Sequence, residues 1–258
     1  MNLQTDKFFL IAGPCVVESK EICFEIAAQL VAITTELNIP FIFKASYKKA
    51  NRTKLDSFTT IGEEKALQIL ADVKSTFNIP ILTDVHETTD CKKVKEIVDV
   101  LQIPAFLCRQ TELLLAAGKT GKTVNIKKGQ FISAEMMQFA VDKILSIGNR
   151  NILLTERGTM FGYNDLIVDF RNIPLMKQTG FPVVFDATHS VQQPNKGEGV
   201  SGGKPEFIET LAKCAIAAGA NGIFLETHPN PKNSLSDGAN MLALSEVKSL
   251  LLKLQNIG

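Results

Sequence analysis

Short apolar runs alternate with amphipathic stretches along the whole chain. The runs predict eight strands, at 8–12, 41–45, 79–85, 100–104, 124–127, 152–155, 183–187 and 223–226. They are continuous in hydrophobicity, with little of the polar alternation of half-exposed strands. That pattern is typical of parallel strands buried on both faces of a sheet.

Helical periodicity fills the stretches between these runs. Apolar residues recur three or four positions apart, as expected for one face of a helix. Three such stripes are Ala66, Ile69, Leu70, Val73 and Phe77; Met137, Ala140, Val141, Ile144 and Leu145; and Val247, Leu250, Leu251 and Leu254. The segments Asn-Ile-Pro at 38–40 and 78–80 each predict the end of one helix before the next strand.

Eight strand–helix repeats in 258 residues predict a single (β/α)8 barrel, with one catalytic domain over residues 1–258. A doubly wound open sheet is the alternative, but no Gly-x-Gly-x-x-Gly follows the first predicted strand. Two long polar connections, at 47–60 and 189–204, are expected to be functional because loops of that length are uncommon inside compact domains.

Composition narrows the function classes. Lys plus Arg is 28 and Asp plus Glu is 27, so the chain lacks the basic excess of a nucleic-acid binder. The apolar runs fall short of the roughly 18 residues that a membrane helix needs, and the polar N-terminus does not resemble a signal peptide. Five widely spaced cysteines indicate reduced thiols. We expect a cytoplasmic protein whose partners include neither nucleic acid nor membrane.

Ionisable residues stand at or just past the end of every predicted strand. Because a (β/α)8 barrel builds its active site at the carboxyl ends of its strands, we expect these residues to share one mouth. In strand order they are Cys15; Lys44; Asp84 and His86; Arg109; Lys127 and Lys128; Glu156 and Arg157; Asp186 and His189; and Glu226 and His228.

Two kinds of chemistry are present in this region. The first is cationic, and in a chain of net charge +1 it indicates a multiply anionic substrate such as a phosphate ester. Its members are Lys44, Lys49, Arg52, Arg109, Lys127 and Arg157. The second is a candidate metal set: Cys15, His189, Glu226 and Asp237. Thiolate, imidazole and carboxylate ligands suit zinc or ferrous iron, although no short-spaced motif links these four, and a buried core residue is the alternative for each.

A series of segments carries a family resemblance over essentially the whole chain. The segments are Ile-Ala-Gly-Pro-Cys at 11–15, Phe-Lys-Ala-Ser at 43–46, Lys-Ala-Asn-Arg-Thr at 49–53, Thr-Asp-Val-His-Glu at 83–87, Ile-Pro-Ala-Phe-Leu-Cys-Arg-Gln-Thr at 103–111, Asn-Ile-Lys-Lys-Gly-Gln at 125–130, Glu-Arg-Gly-Thr-Met-Phe-Gly-Tyr at 156–163, Phe-Asp-Ala-Thr-His-Ser-Val-Gln at 185–192 and Glu-Thr-His-Pro-Asn-Pro at 226–231. In this order they resemble the 3-deoxy-D-manno-octulosonate 8-phosphate synthase family.

The resemblance implies an enzyme, and with it the substrates and the assembly. Members condense phosphoenolpyruvate with D-arabinose 5-phosphate and water, releasing phosphate, in lipopolysaccharide biosynthesis of Gram-negative bacteria. The family is a barrel, usually a homotetramer. Its metal-dependent branch has cysteine in the first-strand motif where the other branch has asparagine, so Cys15 implies a divalent ion (zinc, ferrous iron or manganese). Ser236 agrees, because the metal-independent branch tends to carry cysteine there.

Residue roles follow from the same resemblance. Lys49 is expected to hold phosphoenolpyruvate, and the run Asn51, Arg52 and Thr53 to hold arabinose 5-phosphate; the family commonly has serine in place of Thr53. Lys127 and Arg157 are expected to clamp the phosphate of phosphoenolpyruvate, beside Lys44. These assignments put both anionic substrates in one pocket.

The remaining roles concern the sugar, the metal and a neighbouring subunit. Asp84 and His86 are expected near the sugar, whereas Phe106 and Arg109 correspond to a segment that reaches a neighbouring subunit's sugar phosphate; a simple helix N-terminal charge is the alternative for Arg109. Expected metal ligands are Cys15, His189, Glu226 and Asp237. His189 and Asp237 are also candidates for taking a proton from water, and together with Lys49 they form the predicted catalytic set.

Two rival functions remain at this point. A 3-deoxy-7-phosphoheptulonate synthase uses erythrose 4-phosphate and typically reads Lys-Pro-Arg-Thr where this chain has Lys-Ala-Asn-Arg-Thr at 49–53, and the extra residue favours the longer sugar. A non-catalytic barrel that only binds a phosphorylated ligand is the other rival. We further expect Cys23, Cys91, Cys108 and Cys214 to be packing residues, Lys128 to be solvated, and 199–203 to form a lid.

Overall fold

Eight parallel strands close on themselves in the computed structural model, which describes residues 7–52, 54–161, 164–194 and 202–257. They are β1 (Phe9–Gly13), β2 (Phe41–Lys44), β3 (Ile81–Asp84), β4 (Val100–Ile103), β5 (Thr123–Lys127), β6 (Ile152–Glu156), β7 (Val183–Asp186) and β8 (Gly222–His228). Each strand pairs with the next in sequence, and β8 pairs in parallel with β1 from Gly222↔Phe9 to Glu226↔Gly13. The closure confirms the predicted (β/α)8 barrel and excludes the open sheet.

A helix follows each strand and covers the outside of the barrel. The helices are α1 (Lys20–Glu36), α2 (Glu63–Phe77), α3 (Thr88–Val94), α4 (Thr111–Gly118), α5 (Met137–Leu145), α6 (Asn172–Lys177), α7 (Ile208–Ala217) and α8 (Val247–Gln255). None of the helices in the described ranges has the length and apolarity that a membrane span requires.

The core has two layers because successive side chains of a strand point to opposite faces. Phe9 and Ile11 of β1 belong to the cluster inside the barrel, whereas Leu10 and Ala12 pack outward against the helices. The full inner cluster is Phe9, Ile11, Ile42, Leu82, Val100, Leu153, Val184 and Phe224. The ring of Phe224 contacts Lys44 and Lys127, two residues of the site described below.

The predicted helical stripes are confirmed as buried faces. Val247, Leu250, Leu251 and Leu254 are buried on α8, and the stripes of α2 and α5 are buried except at their ends. Asn38 and Asn78 follow α1 and α2 with φ of 53° and 51°. Asparagine tolerates this left-handed conformation, which explains how the Asn-Ile-Pro segments end two helices.

The cysteine prediction is confirmed at three positions and wrong at one. All five cysteines are free thiols, and Cys23, Cys91 and Cys108 are buried in the core. Cys214 is exposed because it lies on the outer side of α7, whose buried face carries Ile208, Ala212 and Ala215.

Gly13 permits the close approach of β1 and β2 beneath the site. A Cβ atom at this position would lie 2.0 Å from the backbone oxygen of Lys44, so a larger residue would force the strands apart. This contact sets the relative position of Cys15 and Lys44, which follow β1 and end β2.

We expect Leu153→Ala to destabilise the barrel strongly. Leu153 is buried in the inner cluster, and truncating a core leucine costs about 2–5 kcal/mol in the free energy of unfolding. Leu252→Ala removes the same atoms from a side chain that is 44% exposed on α8 and should change that free energy by about 0.5 kcal/mol or less. Urea unfolding of the two variants makes the comparison. Equal losses would contradict a packed barrel interior.

Candidate active site

A deep pocket of about 1110 Å³ opens at the carboxyl ends of the barrel strands. Its wall includes Lys44 at the end of β2, Asp84 at the end of β3, Lys127 at the end of β5 and Glu226 within β8. Parallel strands that close into a barrel bring all their carboxyl ends to one side, so residues distant in sequence meet here. The described pocket wall carries six cationic side chains and three carboxylates: Lys44, Lys49, Arg52, Lys127, Arg157 and Lys232, with Asp84, Glu226 and Asp237.

Two of these lysines are buried and paired with carboxylates. Lys44 Nζ lies 2.5 Å from Glu226 Oε1 and donates to the backbone oxygen of Cys15 at 2.8 Å. Lys127 Nζ lies 2.5 Å from Asp186 Oδ2 and 4.1 Å from the ring centre of Phe224. Burial lowers the pKa of Lys127, and the charge of Asp186 opposes that shift. Both lysines therefore stand at the pocket floor with carboxylate support.

Arg157 follows β6 and is the most informative cation of the pocket. Its Nη2 donates to Gln192 Oε1 at 2.6 Å, whereas its buried Nη1 has no partner among the described residues. Burial lowers the pKa of the guanidinium, yet arginine keeps its charge in proteins. A buried, charged donor without a partner is costly. An anionic acceptor bound at this point would give that nitrogen a partner.

The loop between β2 and α2 supplies a second group of cations. Lys49 is half-buried; burial works to lower its pKa, but the nearby charges of Glu226 and Asp84 contribute to a net rise. Arg52 donates from Nε to the backbone oxygen of Phe58 at 2.9 Å and from Nη2 to Ser236 Oγ at 2.6 Å. Asn51 lines the same pocket. Thr53 lies outside the described residues.

Three of the four predicted metal ligands come together beside Lys44. The ligand atoms of Cys15, Glu226 and Asp237 all lie within 4.8 Å of one another. Cys15 Sγ lies 2.9 Å from Ser236 Oγ and 3.2 Å from Asp237 Oδ2. Burial and the charge of Glu226 raise the pKa of the Cys15 thiol above its usual range. A thiol with two carboxylates in this arrangement fits a transition metal, which would bind with loss of the thiol proton.

His189, the fourth predicted ligand, lies at the edge of this cluster. Its Nδ1 is 2.7 Å from Asp186 Oδ2, and its Nε2 is 3.5 Å from Glu226 Oε2. Asp186 also accepts from the backbone N–H of His189 at 2.8 Å, so both the ring and its backbone are fixed. The pKa of Asp186 falls well below its usual range: burial would raise it, but His189 and Lys127 outweigh that effect. The ring of His189 thus lies between Asp186 and Glu226.

Asp84 and His86 form the opposite wall. Asp84 accepts hydrogen bonds from Ser46 and Gln102. Burial alone would raise the pKa of Asp84, but Lys44 and Lys49 hold it below the usual range. The backbone N–H of His86 donates to Asp90 Oδ2 at 2.9 Å, and burial lowers the pKa of its ring. The wall thus presents an ionised carboxylate next to an imidazole.

Arg109 and Lys128 do not join the shared mouth that the strand ends predict, whereas the predicted contact of Phe106 and Arg109 with a neighbouring subunit stays a prediction. Arg109 is exposed and outside the pocket wall, because the turn at Ala105–Leu107 leads the chain outward before α4; Phe106 lines the pocket but is 53% exposed. Lys128 is not solvated: it is fully buried, 3.6 Å from Glu156 Oε1, because alternation turns it away from the face of Lys127.

The last strand end also differs from the prediction. His228 lies outside the pocket wall, and its Nδ1 accepts from the backbone N–H of Asn230 at 3.0 Å. In the predicted lid segment, residues 199–201 lie outside the described residues. Gly202–Gly203 pairs antiparallel with Gln192–Gln193.

Several site residues escaped the sequence prediction of substrate and metal contacts. Gln102, Gln130 and Gln192 line the pocket, and Asp186 supports both Lys127 and His189. Gln130 and Gln192 each end one of the matching segments, so a signal existed for them. Gln102 stands inside an apolar run, where a polar residue on the barrel-interior face is itself a signal.

Known proteins resemble this chain over nearly its whole length. The chain matches the DAHP synthetase I family over residues 2–258. It is 53% identical over 248 residues to a protein of Granulibacter bethesdensis named 2-dehydro-3-deoxyphosphooctonate aldolase, covering 96% of this chain and 88% of that protein. Proteins of the same name from Koribacter versatilis (53% over 254 residues; 97% and 91% covered) and Francisella tularensis subsp. holarctica (51% over 250; 97% and 91%) are similar. The chain therefore belongs to the DAHP synthetase I family and, within it, to the 2-dehydro-3-deoxyphosphooctonate aldolases.

Proposed function

We propose that this enzyme condenses phosphoenolpyruvate with D-arabinose 5-phosphate and water to give 3-deoxy-D-manno-octulosonate 8-phosphate and phosphate, a step of lipopolysaccharide biosynthesis. The observation that carries the proposal is the pocket of buried cations, with Arg157 Nη1 left without a partner in the described part of the chain. Such a pocket suits phosphorylated substrates. The name shared by the relatives supports this reaction.

Phosphoenolpyruvate takes the deep part of the pocket in this proposal. Arg157 and Lys127 bind its phosphate, because their side chains reach the wall from neighbouring strand ends and carry the charge a dianion needs. Lys44 and Lys49 face its carboxylate. The carboxylates that pair with Lys44 and Lys127 fix the direction of these side chains before substrate arrives.

Arabinose 5-phosphate takes the outer part of the pocket. Asn51, Arg52 and Thr53 bind its phosphate, and Asp84 and His86 contact its hydroxyl groups. Cations on both sides offset the repulsion between two anionic substrates and hold the reacting carbons close together. The chemistry follows from that arrangement: C3 of phosphoenolpyruvate attacks the aldehyde carbon, water adds at C2, and the hemiketal phosphate loses phosphate by C–O cleavage.

His189 and Asp237 are the candidate acceptors of the water proton. Asp186 fixes His189 through Nδ1, which leaves Nε2 available on the pocket side. Asp237 lines the pocket, with its Oδ2 3.2 Å from Cys15 Sγ. Lys49 completes the catalytic set by holding phosphoenolpyruvate.

Cys15, Glu226 and Asp237, with His189 beside them, would hold a divalent zinc, ferrous or manganese ion. A bound ion of this kind supplies a Lewis acid that polarises a carbonyl oxygen or lowers the pKa of a water molecule. The chemistry of the donors supports the assignment, because a thiolate among carboxylates favours transition metals over magnesium or calcium.

A homotetramer in the cytoplasm is the proposed state of the enzyme. Large apolar side chains are exposed on the segments that follow β4, β5 and β6: Phe106, Phe131, Phe139, Met160 and Phe161. Exposed apolar surface of this kind supports a contact between subunits. Phe106 and the exposed Arg109 would then reach a neighbouring pocket. Five free thiols support a reducing compartment.

The reaction is tested by phosphate release. We expect release from phosphoenolpyruvate with arabinose 5-phosphate, and little with erythrose 4-phosphate or without a sugar. A preference for erythrose 4-phosphate would favour the heptulonate reaction instead. No release with either sugar, despite binding of both ligands, would favour a non-catalytic binding protein.

Arg157→Ala should weaken the binding of phosphoenolpyruvate much more than that of arabinose 5-phosphate. Losing a charge-assisted contact costs about 1.5–3 kcal/mol, or roughly a 10- to 150-fold rise in Kd. Arg150→Ala removes an exposed arginine outside the pocket wall and serves as the matched control. Calorimetric titration of each ligand measures both constants. A loss confined to the sugar phosphate would mean that the two subsites are assigned in reverse.

Cys15→Asn and His189→Ala should differ in their turnover after metal removal. We expect a strong chelator to abolish turnover of the natural chain, and manganese, zinc or ferrous ions to restore it. Cys15→Asn should lose most of its metal yet keep some chelator-resistant turnover, because an amide can hydrogen-bond the groups that surround Cys15. His189→Ala should have none, since alanine offers no polar atom.

Metal content and turnover after chelation, measured side by side, decide this prediction. Full activity of the natural chain in a demonstrably metal-free preparation would contradict the metal requirement. A folded Cys15→Asn protein without any activity would mean that the metal takes part in the chemistry and is needed for more than arrangement.

A further inference from the structure

A chain of three buried hydrogen bonds links four adjacent strands of the barrel and ends at the pocket. Thr155 on β6 donates from Oγ1 to Asn125 Oδ1 on β5 at 2.7 Å, and Asn125 donates from Nδ2 to Gln102 Oε1 on β4 at 2.9 Å. Gln102 in turn donates from Nε2 to Asp84 Oδ1 on β3. The chain therefore runs across four neighbouring strands and ends on a carboxylate of the pocket wall.

The strand register aligns three of these side chains, and Thr155 lies two residues past Leu153, the register partner of Asn125. Asp84 is the register partner of Gln102, and Gln102 is the partner of Asn125. All four side chains are buried, in a barrel whose inner cluster is otherwise apolar. Buried polar groups in such a place are costly unless each is hydrogen-bonded. Each of the four side chains makes a hydrogen bond to another, which meets this requirement.

The direction of the hydrogen-bond chain follows from Asp84, the residue at its end. An ionised carboxylate only accepts hydrogen bonds, so Gln102 must turn its NH2 group toward Asp84. Its oxygen then faces Asn125 and requires the NH2 group of that residue. The oxygen of Asn125 in turn requires the hydroxyl proton of Thr155. Every donor thus points toward Asp84, and reversing any amide would place two acceptors against each other.

Only the end of the chain reaches the pocket. Asp84 and Gln102 line its wall, whereas Asn125 and Thr155 lie behind it and are fully buried. Ser46 donates to the second oxygen of Asp84. Because a carboxylate has about four lone-pair sites, two acceptor positions remain for groups in the pocket.

We propose that Asn125 and Thr155 are positioning residues that hold Asp84 as an oriented, ionised acceptor for the hydroxyl groups of the sugar substrate. They act through Gln102 and touch no substrate themselves. The proposal rests on the proposed function, since a polyhydroxylated aldose phosphate is the substrate whose hydroxyl groups Asp84 would accept. Phosphoenolpyruvate has no hydroxyl group to donate, so its KM should not depend on this hydrogen-bond chain.

Two substitutions of Thr155 test the hydrogen-bond chain at the residue farthest from Asp84. Thr155→Val removes the first donor at constant shape, and we expect the KM for arabinose 5-phosphate to rise about 5-fold, the size of one hydrogen bond. Thr155→Ser keeps the hydroxyl and should stay within about two-fold of the natural chain. The KM for phosphoenolpyruvate should change less than about two-fold in both. An unchanged KM for the sugar in Thr155→Val, or equal changes for both substrates, would overturn the proposal.

Asn125→Asp tests the direction of the chain. An ionised aspartate at position 125 cannot donate to Gln102. The side-chain amide of Gln102 must then rotate to donate to this aspartate, which places its oxygen against the carboxylate of Asp84. We expect the KM for arabinose 5-phosphate to rise about 10- to 100-fold. Asn151→Asp introduces the same charge at an exposed position and should leave both KM values unchanged. If Asn125→Asp behaves like Asn151→Asp, the proposed direction is wrong.

A measurement without turnover separates this inference from the proposed function. Asn125→Asp should lower Tm by about 5–10 °C, and adding Asp84→Asn should recover at least half of that loss, because the chain can then run in the opposite direction. Additive losses would overturn the inference. Should the natural chain fail to turn over arabinose 5-phosphate, the proposed function is wrong. In that case, the recovery of Tm in the double variant still tests whether the hydrogen-bond chain has the proposed direction.

Discussion

Burial of positive charge at the carboxyl ends of the strands is the constraint on which the site depends. Lys44, Lys127 and Arg157 are all at least nine-tenths buried, and a buried ammonium without a partner is strongly destabilising. Glu226 and Asp186 supply partners to the two lysines, at 2.5 Å each. Arg157 keeps one nitrogen without a partner in the described ranges, and that nitrogen marks where an anion completes the set.

The same carboxylates link the anion site to the candidate metal site. Glu226 pairs with Lys44 through Oε1 and lies among the candidate ligands with Cys15 and Asp237. Asp186 holds Lys127 and His189 together. A change at either carboxylate therefore alters both halves of the pocket. This shared support offsets the repulsion among the cations that a chain of net charge +1 concentrates in one pocket.

Much of the fold was predictable from sequence because parallel strands buried on both faces leave continuous apolar runs. The predicted run at 152–155 became Ile152–Glu156, and the run at 183–187 became Val183–Asp186. Strand ends then located most of the site. The apolar runs could not predict the direction of each side chain at a strand end. Lys127 lines the pocket, whereas its neighbour Lys128 is buried against Glu156.

Other features depend on tertiary contacts that no local pattern encodes. The turn that carries Arg109 away from the pocket follows β4 without a distinctive signal, and the pairing of Asp186 with two site residues needs strands β5 and β7 in place. The polar residues Gln102, Asn125 and Thr155 were visible within apolar runs, but only the folded barrel shows that hydrogen bonds link them to one another.

A crystal structure of the enzyme with phosphoenolpyruvate bound would test the central claim most directly. We predict a phosphate oxygen within hydrogen-bond distance of Arg157 Nη1, with Lys127 bound to the same phosphate and the Lys127–Asp186 pair retained. A phosphate bound elsewhere in the pocket, with Arg157 Nη1 still without a partner, would contradict the claim that the buried cations form the phosphoenolpyruvate site.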